Sequence, residues 1–424
     1  MCFGCPGNVF GEGLTLANGG RLMPIIEIRL SPTFKRFLLS EQASGVLLLV
    51  CTVVSLILAN SPLGHAYLHA WHVKVAGLPV EVWVNDGLMA VFFLLIGLEL
   101  KRELYVGELS NLRHALLPIV AALGGIVVPA TIHFTFNNGT ATQPGMGIPM
   151  ATDIAFALGV LALLGNRVPG SLKVFLAALA VIDDLGAIVV IALFYSGALA
   201  WSYLGATLAI LVVLLMFNRW GIRALWTYLL GGIAMWFCMF QSGVHATIAG
   251  VLLAFAIPFT EKSEDETSPS HRLERWLQRP VAFGIMPLFA LANTGIVIEQ
   301  GVLALISSAN GVGIFVGLFI GKPVGIVLAS IAAVLLGICR MPLDLNWKHL
   351  LGAGLLGGIG FTMSIFITNL AFPDNALIVS ASKMTILLAS LTAGTVGFLW
   401  LKFFGQPDVA DRDLETMDYV TTSP

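Results

Sequence analysis

The chain has 424 residues, 57% hydrophobic and 11% charged, with a mean hydropathy of +0.91 and a formal net charge of −2. Soluble domains carry roughly 25% charged residues, so this composition excludes one and describes a polytopic membrane protein. No basic run is dense enough to form a phosphate-binding stripe, which excludes a nucleic-acid partner.

Residues 1–34 are Gly-rich and lack the basic start, apolar core and small-residue cleavage site of a secretory signal. They are expected to form a disordered extension. Cys2 and Cys5 within it have metal-like spacing but no second pair to complete a four-ligand site. A helix needs about 20 apolar residues to cross the hydrocarbon. Such stretches recur at about 42–60, 86–104, 115–136, 147–165, 171–195, 201–217, 223–240, 243–259, 281–299, 311–337, 349–371 and 379–404. These twelve predicted spans make residues 35–405 a single all-α membrane domain. Residues 261–269 form a polar linker, 271–278 suit a short amphipathic interfacial helix, and the acidic tail 406–424 is expected to be disordered.

Lys and Arg crowd cytoplasmic loops, which tests the span count. Arg21, Arg29, Lys35 and Arg36 precede the first span, and Lys101, Arg102 and Arg113 follow the second. Alternation continues, and nineteen of the 22 basic residues fall on one side. The uncharged loops 137–146 and 196–199 lie on the other side, and both termini are predicted to be cytoplasmic. Lys322 and Lys383 lie in or near spans instead.

The fifth span carries adjacent carboxylates, Asp183 and Asp184, the fourth Asp153, and the tenth Lys322. An ionised side chain at membrane depth costs at least about 2.5 to 3.5 kcal/mol on insertion scales, so such residues mark ion or proton paths. The fourth span opens Pro-Gly-Met-Gly-Ile-Pro at 144–149, predicting an interruption near Pro149. The eleventh has Gly352, Gly354, Gly357, Gly358 and Gly360 ahead of Phe361. Irregular backbone at that depth is tolerated only inside protein or along a wet cavity. Interrupted helices in two corresponding repeats point to a secondary transporter's binding site. Spans three to five and ten to twelve cross in opposite directions by the charge rule, so they are predicted to be inverted repeats whose two discontinuous helices cross. The alternative for the glycines is a helix-packing face.

Long motifs in order extend this pattern: 85–99 (Asn-Asp-Gly-Leu-Met-Ala-Val-Phe-Phe-Leu-Leu-Ile-Gly-Leu-Glu), 151–159 (Ala-Thr-Asp-Ile-Ala-Phe-Ala-Leu-Gly), Asp183-Asp184-Leu-Gly, 242–247 (Ser-Gly-Val-His-Ala-Thr), Gly321-Lys-Pro and 358–365 (Gly-Ile-Gly-Phe-Thr-Met-Ser-Ile). Over about residues 41–404 the chain closely resembles the NhaA-type sodium/proton antiporters, themselves a standard example of inverted-repeat transporters. The resemblance implies exchange of cytoplasmic Na+, and Li+, for external H+ across a bacterial-type inner membrane. It also implies electrogenic, pH-regulated transport by alternating access, a homodimer, membrane lipid as surroundings, and neither cofactor nor enzymatic activity. It gives Asp183 and Asp184 the cation-binding and proton-carrying positions, with the transported Na+ as their metal. Thr152 becomes an accessory oxygen ligand, Asp153 the acid facing the helix crossing, and Lys322 the lysine paired with an acid of the site. Glu99, Arg102, Glu103, His245, Glu261 and Glu274 match positions associated with pH response. His271, Arg275 and Gln278 depart from the more basic or His-rich choices of the best-known members.

Sodium is a hard cation best held by oxygen. Adjacent helical residues point about 100° apart, which assigns Asp184 as the more direct ligand and Asp183 as the partner of Lys322. Coupled acids titrate as a unit, and protons and sodium compete for one set of oxygens. Asp153 also suits a helix N-cap and Lys322 a snorkelling residue; His245 suits a structural hydrogen bond. Glu99, Lys101, Arg102 and Glu103 suit a cytoplasmic ion-pair cluster or a plain solvated helix end. Two other classes compete. An intramembrane aspartyl protease needs converging acids, which consecutive residues do not supply, and a passive cation channel is disfavoured by Lys322 in the membrane.

Overall fold

In hydrocarbon a backbone must satisfy its own polar groups, so apolar runs wind into helices. The structure, a computed structural model, describes residues 32–405 apart from 111, 198, 261–267 and 343. The predicted extension (1–31 of it), the tail 406–424 and Glu261 lie outside the described residues. In chain order come α1 (Pro32–Ala59), α2 (Gly64–His72), a turn α3 (Val80–Val82), α4 (Met89–Tyr105), α5 (Leu112–Asn137), α6 (Ile154–Leu163), α7 (Gly170–Phe194), α8 (Trp201–Arg219) and α9 (Leu225–Ser242). Then follow α10 (Ile248–Ala256), α11 (Pro269–Pro280), α12 (Met286–Asn293), α13 (Gln300–Ile306), α14 (Ala309–Val316), α15 (Lys322–Leu335), α16 (Trp347–Gly357), α17 (Phe361–Ala371) and α18 (Ala376–Phe404). Wider π turns at Trp83–Leu88, Val281–Ile285 and Gly317–Gly321 lead into α4, α12 and α15.

The protein is an all-α polytopic membrane protein. Its small strands, β1 (Lys74–Val75) and β2 (Leu78–Pro79), pair antiparallel within the long loop after the first span. Their two-residue turn puts Ala76 and Gly77 at φ 51° and 88°, the left-handed pair a tight hairpin demands.

Helices occupy all twelve predicted stretches, but length and hydropathy do not establish twelve spans. Among the described residues seven helices meet both measures, or up to nine if each of two bent pairs is one span. α9, α10 and the 281–293 segment do not meet both measures; α10, nine residues long, is largely buried among its neighbours, whereas α9 leaves Trp226, Leu230, Ile233 and Phe237 exposed. The span expected to reach 299 stops as helix at Asn293.

α5 and α15 lie against each other along much of their length. A Cβ on Gly124 would sit 2.2 Å from the Gly325 carbonyl oxygen, and one on Gly325 would sit 2.2 Å from that of Gly124. Only glycine allows that approach, which draws α15, and Lys322 at its start, into the core. α4 packs on α10, and α1 on α6 and α12.

Candidate ion-binding site

Pro149 donates no backbone N–H, so the helical turn Gln143–Met150 ends there and residues 151–153 run without helix. Asp153, at φ −82° and ψ 103°, caps α6: its Oδ1 accepts from Phe156 N at 3.1 Å. The second interruption separates α16 from α17, which meet at 47°.

The two interruptions satisfy each other. Asp153 N donates to Ile359 O at 2.7 Å, and Ser364 Oγ donates to Ile148 O at 2.7 Å. Asp153 Oδ2 accepts from Thr362 N at 3.1 Å and also from the Thr362 hydroxyl. An acid at the start of both α6 and α17 is favoured by the positive ends of those helices.

Asp183 and Asp184, both 1% exposed, lie midway along α7. Their roughly 100° divergence sends them to different neighbours. Asp183 Oδ2 lies 2.7 Å from Lys322 Nζ and 2.7 Å from Thr152 Oγ1. Thr152 Oγ1 is also 2.9 Å from Gly357 O, tying Asp183 to both interruptions. Lys322, fully buried, donates further to Met150 O at the carbonyl end of the first half-helix. Asp184 instead lines a cavity of about 60 Å³ with Asp153, Thr362, Glu99, Gln278 and Met286. A water needs about 10–15 Å³ of such volume, so a few waters, or a partly hydrated cation, fit beside Asp184.

Each aspartate keeps one oxygen, Oδ1, buried with no hydrogen-bond partner from the protein. Unpaired buried carboxylate oxygens are rare and call for an occupant. The acids do not converge alone: among the described residues no group of three or more His, Cys, Asp or Glu is set to hold a metal ion. A cation placed here would need its remaining ligands from hydroxyl, carbonyl or water oxygen, which a hard ion accepts.

The residues matched to pH response separate into two places. Arg102 joins Glu274 at 2.5 Å and Glu103 at 3.0 Å, and Glu99 lies on the cavity wall just below. Burial pushes the Glu274 carboxyl above its ordinary range, with Arg102 pulling the other way. Burial, then Arg102 and Arg275, hold His271 below its usual value. His245 is not part of this group: its Nε2 lies 2.9 Å from Tyr195 O, past the far end of α7. Lys101, expected from sequence in the same cluster, turns away instead. Its Nζ donates to Phe255 O at 3.0 Å and Ile257 O at 2.6 Å, where the carbonyl end of α10 favours a cation.

Thr362 escapes sequence reasoning, because one threonine in an apolar run looks like packing; the interruption just before it was the available signal. The hydrogen-bond partner of Lys383, the amide of Asn293, escapes it too.

Two interrupted helices meeting over paired, incompletely satisfied acids inside the membrane define the class of secondary ion transporters. A model of the Na+/H+ antiporter 1 family matches residues 35–401, and the chain belongs to that family. It is 64% identical over 383 residues to the Na+/H+ antiporter NhaA of Dechloromonas aromatica, covering 90% of this chain and 98% of that one. Relatives of the same name from Cytophaga hutchinsonii (58% identical, 88% and 96% covered) and Flavobacterium psychrophilum (56%, 89% and 97%) are similar throughout.

Proposed function

We propose that the protein exchanges cytoplasmic Na+, and also Li+, for external H+ by alternating access. The observation that carries this is the pair of buried Oδ1 atoms on Asp183 and Asp184 that no protein group hydrogen-bonds, with Asp184 facing a cavity large enough for water. Residues 35–405 act as one transporter domain in a bacterial inner membrane, with both termini cytoplasmic and the two helix triplets as inverted repeats. The protein works as a dimer among membrane lipids and is not an enzyme.

With the cavity open toward Glu99 and Gln278, the acids release protons and Asp184 offers oxygen to an arriving sodium ion. Thr152 supplies a hydroxyl oxygen beside Asp183. Lys322 holds Asp183 while no cation is present, and a cation taking the Asp183 oxygens replaces that ammonium contact. Asp153 and Lys322 compensate the opposed half-helix ends, so the crossing remains intact while its occupant changes. Protons and metal cannot share one oxygen set, and if the empty, charged site rarely reorients, each return must carry the other ion. Exchange is electrogenic and is modulated by pH through Glu99, Arg102, Glu103, His245, Glu261 and Glu274.

Purified protein in liposomes with an imposed proton gradient tests this. Sodium-dependent dissipation of the gradient is expected. Conductance without exchange would replace the reading by a channel, and peptide cleavage with neither by a protease.

A further inference from the structure

Lys383 is a second membrane-embedded lysine, 8% exposed, that the exchange chemistry does not use. An intramembrane charge without a role is rare. Its Nζ lies 3.3 Å from Asn293 Oδ1. Asn293, 1% exposed, is the hub of a polar cluster. Its Nδ2 donates to Asn85 Oδ1 at 2.7 Å, and its Oδ1 accepts from Asn369 Nδ2 at 2.6 Å. The cluster joins four elements: the π turn entering α4, the end of α12, α17 and α18.

Three of those elements also wall the cavity. Phe92, Met286 and Thr362 line it, and each stands seven positions from a member of the cluster: Asn85, Asn293 and Asn369 respectively. Seven residues are two turns, about 10 Å. On all three the cluster lies on the side away from Glu99 and Gln278. The amide cluster therefore fastens these elements on the side of the cavity away from Arg102 and Glu274, where a separate ion pair joins α4 to α11. The carbonyl end of α12, at Asn293, also favours the nearby ammonium.

We propose that Lys383 is a positioning residue of the transport cycle. Through Asn293 it fastens α17 and α18 to α12 and the start of α4, sealing the site from the face opposite Arg102, and this clasp opens whenever the site turns to that face. The proposal rests on the exchange reading above. The charge of Glu81 also reaches Lys383, but the hydrogen bonds of the clasp are made by uncharged amides, which neither attract the passing cation nor need a proton to release.

The test uses the full chain in liposomes, its five cysteines (Cys2, Cys5, Cys51, Cys238, Cys339) replaced by serine. In Asn293→Cys/Asn369→Cys, oxidant is expected to join the two thiols and stop exchange, and reductant to restore it. Continued exchange by the linked protein, or no linkage under oxidant, would overturn the clasp. A second readout does not depend on the transported ion. With Met363→Cys on the cavity wall as reporter, labelling by a membrane-impermeant maleimide from the face opposite Arg102 is expected to be about tenfold faster when Lys383→Met is added, the effect of roughly 1.4 kcal/mol. Lys383→Arg is expected to restore the slow rate. Unchanged labelling in Lys383→Met, or an equal rise from both faces as general loosening gives, would overturn the proposal. Absence of sodium exchange in the unmodified chain, with labelling still responding, would fail the exchange reading alone.

Discussion

Among the described residues carboxylates are buried in two places, and the two differ in how completely the protein satisfies them. At the end of α4 away from the helix crossing Glu274 is 3% exposed and sits 2.5 Å from Arg102. At the helix crossing Asp183 and Asp184 are as deeply buried, yet each retains an oxygen with no partner from the protein. A buried acid that is only structural is satisfied by its neighbours. On the proposed function, the acids left with a free oxygen inside the membrane are the ones that take up the exchanged ions.

Four experiments press on that contrast. The largest effect is expected from Asp184→Asn, which removes the charge facing the cavity: sodium-dependent dissipation of a proton gradient should fall below detection while the protein remains folded and monodisperse. Unimpaired exchange in that variant would erase the distinction. Next comes the Asp183–Lys322 pair. Removing one member of a buried pair costs about 3–5 kcal/mol, so Asp183→Asn and Lys322→Met should each unfold at clearly lower temperature in detergent. The double variant should recover most of that loss while remaining unable to transport. Thr152→Val removes a hydroxyl that contacts a carboxylate, a bond worth about 1.5–3 kcal/mol. It should raise the KM for sodium roughly tenfold or more, with kcat less affected.

The smallest effect belongs to the Arg102–Glu274 group. Glu274 has its carboxyl pushed above its ordinary 4.5, so the folded protein binds that proton more tightly than the unfolded chain does. Its contribution to stability is full below about 4.5 and is lost as pH rises through the raised value. Wild type should therefore lose ground against Glu274→Gln as pH increases above that point. Melting temperatures of the two, followed across pH, check the sign; a gap independent of pH would mean that the Arg102 contact offsets burial completely.

Much of this was legible in the residues because a membrane amplifies local rules. Asp153, Asp183, Asp184 and Lys322 stand out since hydrocarbon penalises them, and Pro149 and the glycines from 352 to 360 mark breaks since irregular backbone has few places to go. What the sequence did not reveal is whatever depends on which helix lies opposite. Lys101 looks like a member of a charged cluster until α10 supplies carbonyls to cap. His245 looks like a companion of Arg102 until the fold puts it past the other end of α7. Thr362 and Asn293 are ordinary residues whose importance comes from their partners, and the π turns before α4, α12 and α15 have no periodic signature. Span counting is similarly limited, since α10 needs only nine residues when protein rather than lipid surrounds it.

The reciprocal bonds between the interruptions, Asp153 N to Ile359 O and Ser364 Oγ to Ile148 O, have a consequence for how the chain is made. More than two hundred residues separate the donors from their acceptors. While a ribosome is still producing the second half, the exposed peptide groups of the first have no mate within the lipid, so nascent α6 must wait wetted or misregistered until α17 is inserted. The transport centre is thus a late product of biogenesis, and a chain cut short before residue 359 contains every acid of the site but cannot assemble it.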